Sequence, residues 1–277
     1  MRYANKSISG GNMIDIHCHI LYGVDDGAED FIDSCEMLRQ AEESGITDII
    51  ATPHSYPGLF NNYKGKALDE RFDRLSAHMK ETKTSVRVHR GMEVYANDDT
   101  LRRFDKDQLM TLAGSRFMLI ESAFNENPKF MMRCLAGLRE RGIHPIVAHP
   151  ERYYYIQDRP DIVCDWLDIG CSLQINAGSI TGYFGRKCHE TAYTLLSMNA
   201  VQFAAGDAHG AISRTPELRE AYEQIGVHFS FGYADLLFRD NPLAVLNNKK
   251  LRFPNDPAAS EPEDRILTDE EYWAQLD

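Results

Sequence analysis

The chain has 277 residues, of which 43% are hydrophobic and 26% charged, with 19 glycines and 11 prolines. A chain of that length buries a large core without disulfide or metal staples, and the composition excludes a wholly disordered, collagenous or repeat protein. The formal net charge of −12 argues against nucleic acid as a partner, which would demand a basic footprint. No apolar run is long enough for a membrane span. Residues 1–12 lack the apolar core of a signal peptide. The six cysteines (Cys18, Cys35, Cys134, Cys164, Cys171, Cys188) form no CxxC pair, so they read as reduced thiols in a cytoplasmic protein.

In chain order, short apolar runs alternate with amphipathic segments. Residues 13–16 form the first run; Phe31, Cys35, Leu38 and Ala41 then recur at helical spacing, with Gly45 as the stop. Residues 46–51 are the second run, followed by the stripe Leu68, Phe72, Leu75 and Met79. Further runs fall at 86–89, 117–120 and 143–148, and Ile162, Trp166 and Ile169 mark a helix before Gly170. Runs at 171–175 and 201–204 bracket the weaker stripe Thr191, Leu195, Met198, and Leu218, Ala221 and Ile225 precede Gly226. Seven strands rich in Ile, Val and Phe, with crossovers of helical length, predict an α/β domain with a parallel sheet, either open or closed into a barrel. Residues 13–250 read as one domain, preceded by an extension, 1–12, and followed by an acidic tail, 251–277. Between 254 and 277 that tail has eight acids against the single base Arg265.

Chemistry-bearing residues stand just after the runs. Asp15, His17 and His19 are followed by Asp25-Asp26-Gly27; next come Thr52-Pro53-His54, Gly91-Met92-Glu93, Glu121, His149-Pro150-Glu151-Arg152 and Gly206-Asp207-Ala208-His209. Six of the seven predicted strands thus end in His, Asp or Glu. In a (β/α) barrel all strands open onto one face, which carries the chemistry. His17 and His19, two apart, share one strand face, whereas Cys18 points away. So many imidazoles and carboxylates gathered without lysines would be costly unless metal ions compensate them. Nitrogen and oxygen donors without thiolate suit Mn²⁺, Fe²⁺ or Zn²⁺. His78, His89, His144, His189 and His228 lie away from the strand ends and read as surface or core residues.

These motifs resemble the polymerase and histidinol phosphatase (PHP) family, and within it the manganese-dependent protein-tyrosine phosphatases of bacterial capsule and exopolysaccharide operons. The resemblance rests on residues 13–28 (MIDIHCHILYGVDDGA), ATPH ending at His54, GME ending at Glu93, AHPER ending at Arg152 and GDAH ending at His209. It covers residues 13 to about 245. It implies a distorted seven-stranded (β/α) barrel with three divalent metals, manganese first and iron, zinc or magnesium next. His17, His19 and Asp207 would hold the first metal, and Glu93 would bridge to a second completed by Glu121 and His149. Asp26, His54 and His209 would hold the third, with Asp25 beside them. Arg152 and Arg214 occupy positions where the family places phosphate-binding arginines.

The function this implies is hydrolysis of phosphotyrosine on a protein, the expected substrate being a bacterial tyrosine kinase that controls polysaccharide synthesis. A water activated by the metals would attack in line, and no cysteine is set up as a nucleophile. Aromatic residues in the loops (Tyr56, Phe60, Tyr63, Tyr183, Phe184) would either flank the substrate ring or pack the loops. Two alternatives share this sequence evidence: a PHP-type phosphatase of a small phosphoester such as histidinol phosphate, and a non-catalytic metal-stabilised binding module.

Overall fold

The computed structural model describes residues 12–253; the expected N-terminal extension and nearly all of the acidic tail lie outside them. The first half comprises β1 (Met13–Cys18), α1 (Phe31–Ser44), β2 (Ile46–Ala51), β3 (His54–Ser55), α2 (Lys66–Thr82), β4 (Arg87–Arg90), β5 (Glu93–Tyr95), α3 (Thr100–Asp105) and β6 (Phe117–Glu121). The second half comprises α4 (Pro128–Glu140), β7 (His144–Ala148), α5 (Tyr154–Asp158), α6 (Ile162–Asp168), β8 (Ser172–Asn176), α7 (Ala177–Ile180), α8 (Arg186–Ser197), β9 (Phe203–Ala205), α9 (Arg219–His228), α10 (Phe231–Asp235) and α11 (Asn241–Leu246).

The strands form two parallel ladders, β1-β2-β4 and β3-β5-β6-β7-β8-β9. The first runs on into the second. Ala51 faces Arg90 and His54 faces Glu93, so the same offset holds across the break at Thr52-Pro53. Pro53 has no N–H to give the ladder, but its carbonyl accepts from the Glu93 N–H at 3.2 Å. At the other edge the Asp207 N–H donates to the His17 carbonyl at 2.7 Å, and the His19 N–H to the Ala208 carbonyl at 2.8 Å. The sheet therefore closes on itself, with β2/β3 and β4/β5 each acting as one interrupted strand. The open-sheet alternative is ruled out.

Alternation along the strands sorts side chains into two layers. Inside, Ile14, Ile16, Ile50, Phe117, Leu119, Ile146, Ala148, Phe203 and Ala205 fill the barrel, with Leu112 and Val245 in the same cluster. Outside, Ile49, Met118, Val147, Leu173, Ile175 and Ala204 pack with Leu38, Leu75, Leu135 and Leu195 of the helices. β1 breaks its own alternation: Asp15 pairs with Ile49 and Cys18 with Ala51, so β1 fits one extra residue into that interval. Such a bulge re-aims the side chains beyond it. Ile14 and Ile16 face the barrel interior while Cys18 faces the helices, and the inward positions beyond the bulge become His17 and His19.

Two sequence expectations change. α4 was not anticipated; Asn127 caps it by accepting from the Lys129 N–H, and Pro128 opens it. Gly226 does not stop α9, which continues to His228. It lacks a side chain because the Phe231 ring packs there, and an added Cβ would come within 2.3 Å of that ring. Gly45 does stop α1, with φ at 86° and its N–H on the last carbonyls.

Candidate metal centre

Above the apolar filling, the carboxyl ends of the strands converge. β1 brings His17 and His19, both fully buried, and the loop after it brings Asp25 and Asp26. β3 and β5 bring His54 and Glu93 as direct neighbours in register, and β6 ends at Glu121. After Ala148, simple alternation would send His149 outward. Its backbone adopts φ 36° instead, and its ring turns in to meet Glu93. Asp207 and Arg214 also sit at positive φ, 50° and 51°, so three site residues hold a backbone that side-chain-bearing residues rarely adopt.

Glu93 is the hub. Its Oε2 lies 3.2 Å from His17 Nε2, 3.3 Å from His19 Nε2 and 3.0 Å from His54 Nδ1, while Oε1 lies 3.0 Å from His149 Nε2. Asp207 Oδ1 is 3.4 Å from His17 Nε2 and 3.5 Å from His19 Nε2. Glu121 Oε1 is 2.8 Å from His54 Nδ1. Nearer solvent, Asp26 Oδ1 stands 3.4 Å from His54 Nε2 and 3.6 Å from His209 Nε2. The two arginines meet the other oxygen of Asp207: Arg152 Nη1 at 3.1 Å and Arg214 Nη2 at 2.6 Å.

Electrostatics follow from this crowding. Burial alone would lower His17, but Glu93 and Asp207 outweigh it and lift it to about 9. Burial likewise opposes His54, which Glu93 and Glu121 raise to about 12. Glu93 runs the other way: burial would raise it, yet His17 and His54 hold it well below the ordinary carboxylate range. Asp207 is held low by His17 and Arg214 against the same penalty. His209, buried and close to His19, is pushed down to about 2.

The donor set fits cations. Among the described residues, ligand-type atoms fall into four overlapping groups, each within 4.8 Å: His19, Asp26, His54 and His209; His17, His149 and Asp207; His17, His19 and Glu93; His54, Glu93 and Glu121. All nine expected ligand residues are in these groups. Their partition is less tidy than the allotment implied by the resemblance, since His54 joins Glu93 and Glu121 as well as Asp26. His54 Nδ1, Glu93 Oε2 and Glu121 Oε1 are buried and make no hydrogen bond, although they sit within 3.0 Å of one another in pairs. An imidazole nitrogen and two carboxylate oxygens drawn together out of water, none of them satisfied by a hydrogen bond, are what a metal ligand shell requires.

A family model for capsular polysaccharide synthesis, CpsB/CapC, matches residues 13–247. The chain belongs to the CpsB/CapC family. Tyrosine-protein phosphatase YwqE of Bacillus subtilis is 33% identical over 245 residues, 88% of this chain and 96% of its own. Tyrosine-protein phosphatase CpsB of Streptococcus pneumoniae is 31% identical over 239 residues, 84% of this chain and 98% of its own. One chain from the crystal structures of YwqE and CpsB, which are metal-dependent tyrosine phosphatases, superposes with a TM-score of 0.82 at 33% identity, covering 87% of this chain and 97% of that one. A phosphotriesterase homology protein from Escherichia coli, at TM-score 0.56 and 13% identity over 86% of this chain and 99% of that one, shares the fold alone.

Several residues of this CpsB/CapC site take their roles only from the geometry. Asp25 is not in the ligand groups; its Oδ2 accepts from the His54 N–H at 2.8 Å and meets His19 Nδ1 at 2.9 Å. Gly27 allows that turn, because a Cβ there would lie 2.3 Å from the His19 carbonyl. β8, whose end lacks His and carboxylate, supplies two amides instead, Gln174 and Asn176. Phe124 and Phe184 stack on the Arg152 guanidinium at 4.6 and 4.5 Å, and Phe184 also lies 5.5 Å from Arg214. The loop aromatics divide: Phe60 stacks on the His54 ring at 5.5 Å, whereas Tyr56 packs on Tyr95 and Tyr63 on Arg103. Leu59, Tyr183 and Ile212 stand exposed in loops, and Tyr154 stands exposed at the start of α5.

Proposed function

We propose that this chain is a metal-dependent tyrosine-protein phosphatase that removes phosphate from tyrosine on a bacterial tyrosine kinase governing polysaccharide synthesis. The observation that carries the reading is the convergence of four imidazoles on buried Glu93 beside two arginines on Asp207. Family membership supports the link to capsular polysaccharide, and the named relatives support phosphotyrosine.

On the allotment the resemblance implies, three divalent ions, manganese first, would be held by His17, His19 and Asp207, by Glu121 and His149 with Glu93 shared, and by Asp26, His54 and His209. His17, His19, His54 and Glu93 each take part in two donor groups, which supports closely spaced ions. When bound, the ions supply Lewis-acid charge for the phosphoryl oxygens and make water a nucleophile near neutral pH. The protein does the rest. Arg152 and Arg214 offer forked N–H donors to the phosphoryl oxygens as charge builds in the transition state. Phe124 and Phe184 keep those forks flat and aimed. Exposed Leu59, Tyr154, Tyr183 and Ile212, each one or two positions from Phe60, Arg152, Phe184 or Arg214, are offered to the residues flanking the phosphotyrosine, and the named relatives favour a polypeptide over histidinol phosphate.

The test is an assay on chelator-stripped protein with Mn²⁺ restored, using phosphotyrosine peptide, phosphoserine peptide and histidinol phosphate. Mn²⁺-dependent turnover of phosphotyrosine, lost in His17→Ala, is the expected result. Preference for histidinol phosphate would overturn the substrate, and no turnover with metal bound would overturn the enzyme. Loading is also expected to depend on pH. His17 in the stripped protein, raised to about 9, is charged at neutrality, so metal must displace protons and apparent Mn²⁺ affinity rises from pH 6.5 to 9. The stability of the stripped protein moves oppositely. A histidine raised above its unfolded value of about 6.5 contributes fully below that pH and loses the contribution as pH climbs through about 9. Asp15, raised to about 6 by burial, has ionised before this window opens. Denaturant titrations of stripped protein at pH 6.5 and 9, beside chelator-competition titrations, check both slopes; parallel slopes would contradict the argument.

A further inference from the structure

The strand end without a ligand, β8, reaches into the site through a chain of amides. Asp207 Oδ2 accepts from Asn176 Nδ2 at 2.6 Å. Asn176 Oδ1 accepts from Gln174 Nε2 at 2.9 Å. Gln174 Oε1 then faces His17 Nδ1 at 2.9 Å. All four residues are buried, so water does not compete for these contacts.

The chain has a direction. A guanidinium only donates, and Asp207 Oδ2 lies 3.1 Å from Arg152 Nη1 and 2.6 Å from Arg214 Nη2, so this oxygen is an acceptor. Asn176 must therefore turn its NH₂ toward Asp207 and its oxygen toward Gln174. Gln174 must give its NH₂ to that oxygen and present its own oxygen to His17. The imidazole atom facing an oxygen must carry hydrogen, so Nδ1 is the protonated nitrogen of His17. Nε2, the atom that faces Glu93 and Asp207, keeps its lone pair whenever the ring is neutral.

We propose that Gln174 and Asn176 are positioning residues whose directed hydrogen bonds tie Asp207 to Nδ1 of His17 and so aim Nε2 as a metal donor. The proposal rests on the metal reading above. With Nδ1–H engaged by Gln174 Oε1, Nε2 is the nitrogen of His17 left to a metal.

The test uses full-length protein, with Mn²⁺ and the diamagnetic probe Zn²⁺, comparing wild type with Gln174→Met and Gln174→Glu. Methionine keeps the length and removes the acceptor. Glutamate keeps the shape and adds charge, but it sets an oxygen against Asn176 Oδ1 and breaks the direction. Loss of such an outer partner typically costs about 10–100-fold in metal affinity, and both variants are expected to show it in chelator competition. In the Zn²⁺-loaded, ¹⁵N-labelled protein, a hydrogen-bonded Nδ1–H resonance of His17 is expected in wild type and is lost in Gln174→Met. The corresponding His19 signal, held on Asp25, should stay. Affinity within twofold of wild type in Gln174→Met, or tighter binding in Gln174→Glu, would overturn the relay. Isosteric Gln174→Glu decides the matter should Gln174→Met fail to fold. A wild-type protein that binds neither ion would instead overturn the metal reading.

Discussion

Glu93→Gln should leave the protein unable to turn over a phosphotyrosine peptide, with kcat/KM down on the order of 10³-fold or more, because metal charge and its placement supply most of the expected rate. The substitution is isosteric, so the four surrounding imidazoles keep their positions while the anion they share disappears. Metal stoichiometry, measured on the same sample, should fall with activity. The stripped variant should also lose about 3–5 kcal/mol of stability, as happens when one partner of a buried ionic cluster is removed. A Glu93→Gln protein with full metal content and more than a tenth of wild-type activity would remove Glu93 from the centre of the site.

The second large effect is expected at Arg152. Arg152→Ala should lower kcat/KM for phosphotyrosine by about 10²–10³-fold, the usual result of deleting one preorganised donor to a developing charge. Metal content should not change, which separates this loss from the one at Glu93. Arg152→Lys should recover little, since an ammonium reproduces neither the fork nor the stack between Phe124 and Phe184. Full recovery by lysine would reduce Arg152 to a point charge.

The strands and the cluster of imidazoles and carboxylates at their ends were legible because both follow simple periodicities. Apolar runs of Ile, Val and Phe marked the barrel, and polar residues immediately after each run marked its mouth. The residues that escaped notice are those whose partners are distant in sequence. Gln174 and Asn176 sit two apart on β8, an inward-facing spacing, but amides carry no metal signature until Asp207 and His17 are seen beside them. Phe124 looks like an ordinary loop aromatic until Arg152 is found beside it, and Phe184, expected to flank the substrate or pack a loop, is seated on the same guanidinium. His149 was found by its motif although its strand parity points the wrong way; the local backbone, not the sequence pattern, turns it in. α4 escaped because its apolar stripe of Met131, Leu135 and Leu138 follows a proline in a segment that otherwise suggests a loop.

The extra residue in β1 decides which donor atoms line the mouth of the barrel. Without that half-period phase change the strand would point Ile16 and Cys18 into the mouth, and a sulfur would stand among the oxygens and nitrogens. A thiolate there would favour softer ions such as copper(I) over manganese. With the insertion, the sulfur of Cys18 is turned to the helix side of the sheet, where burial holds its thiol well above its ordinary pKa. One backbone residue thus keeps sulfur out of a mouth lined by nitrogen and oxygen, and it does so through the pleat of the strand alone.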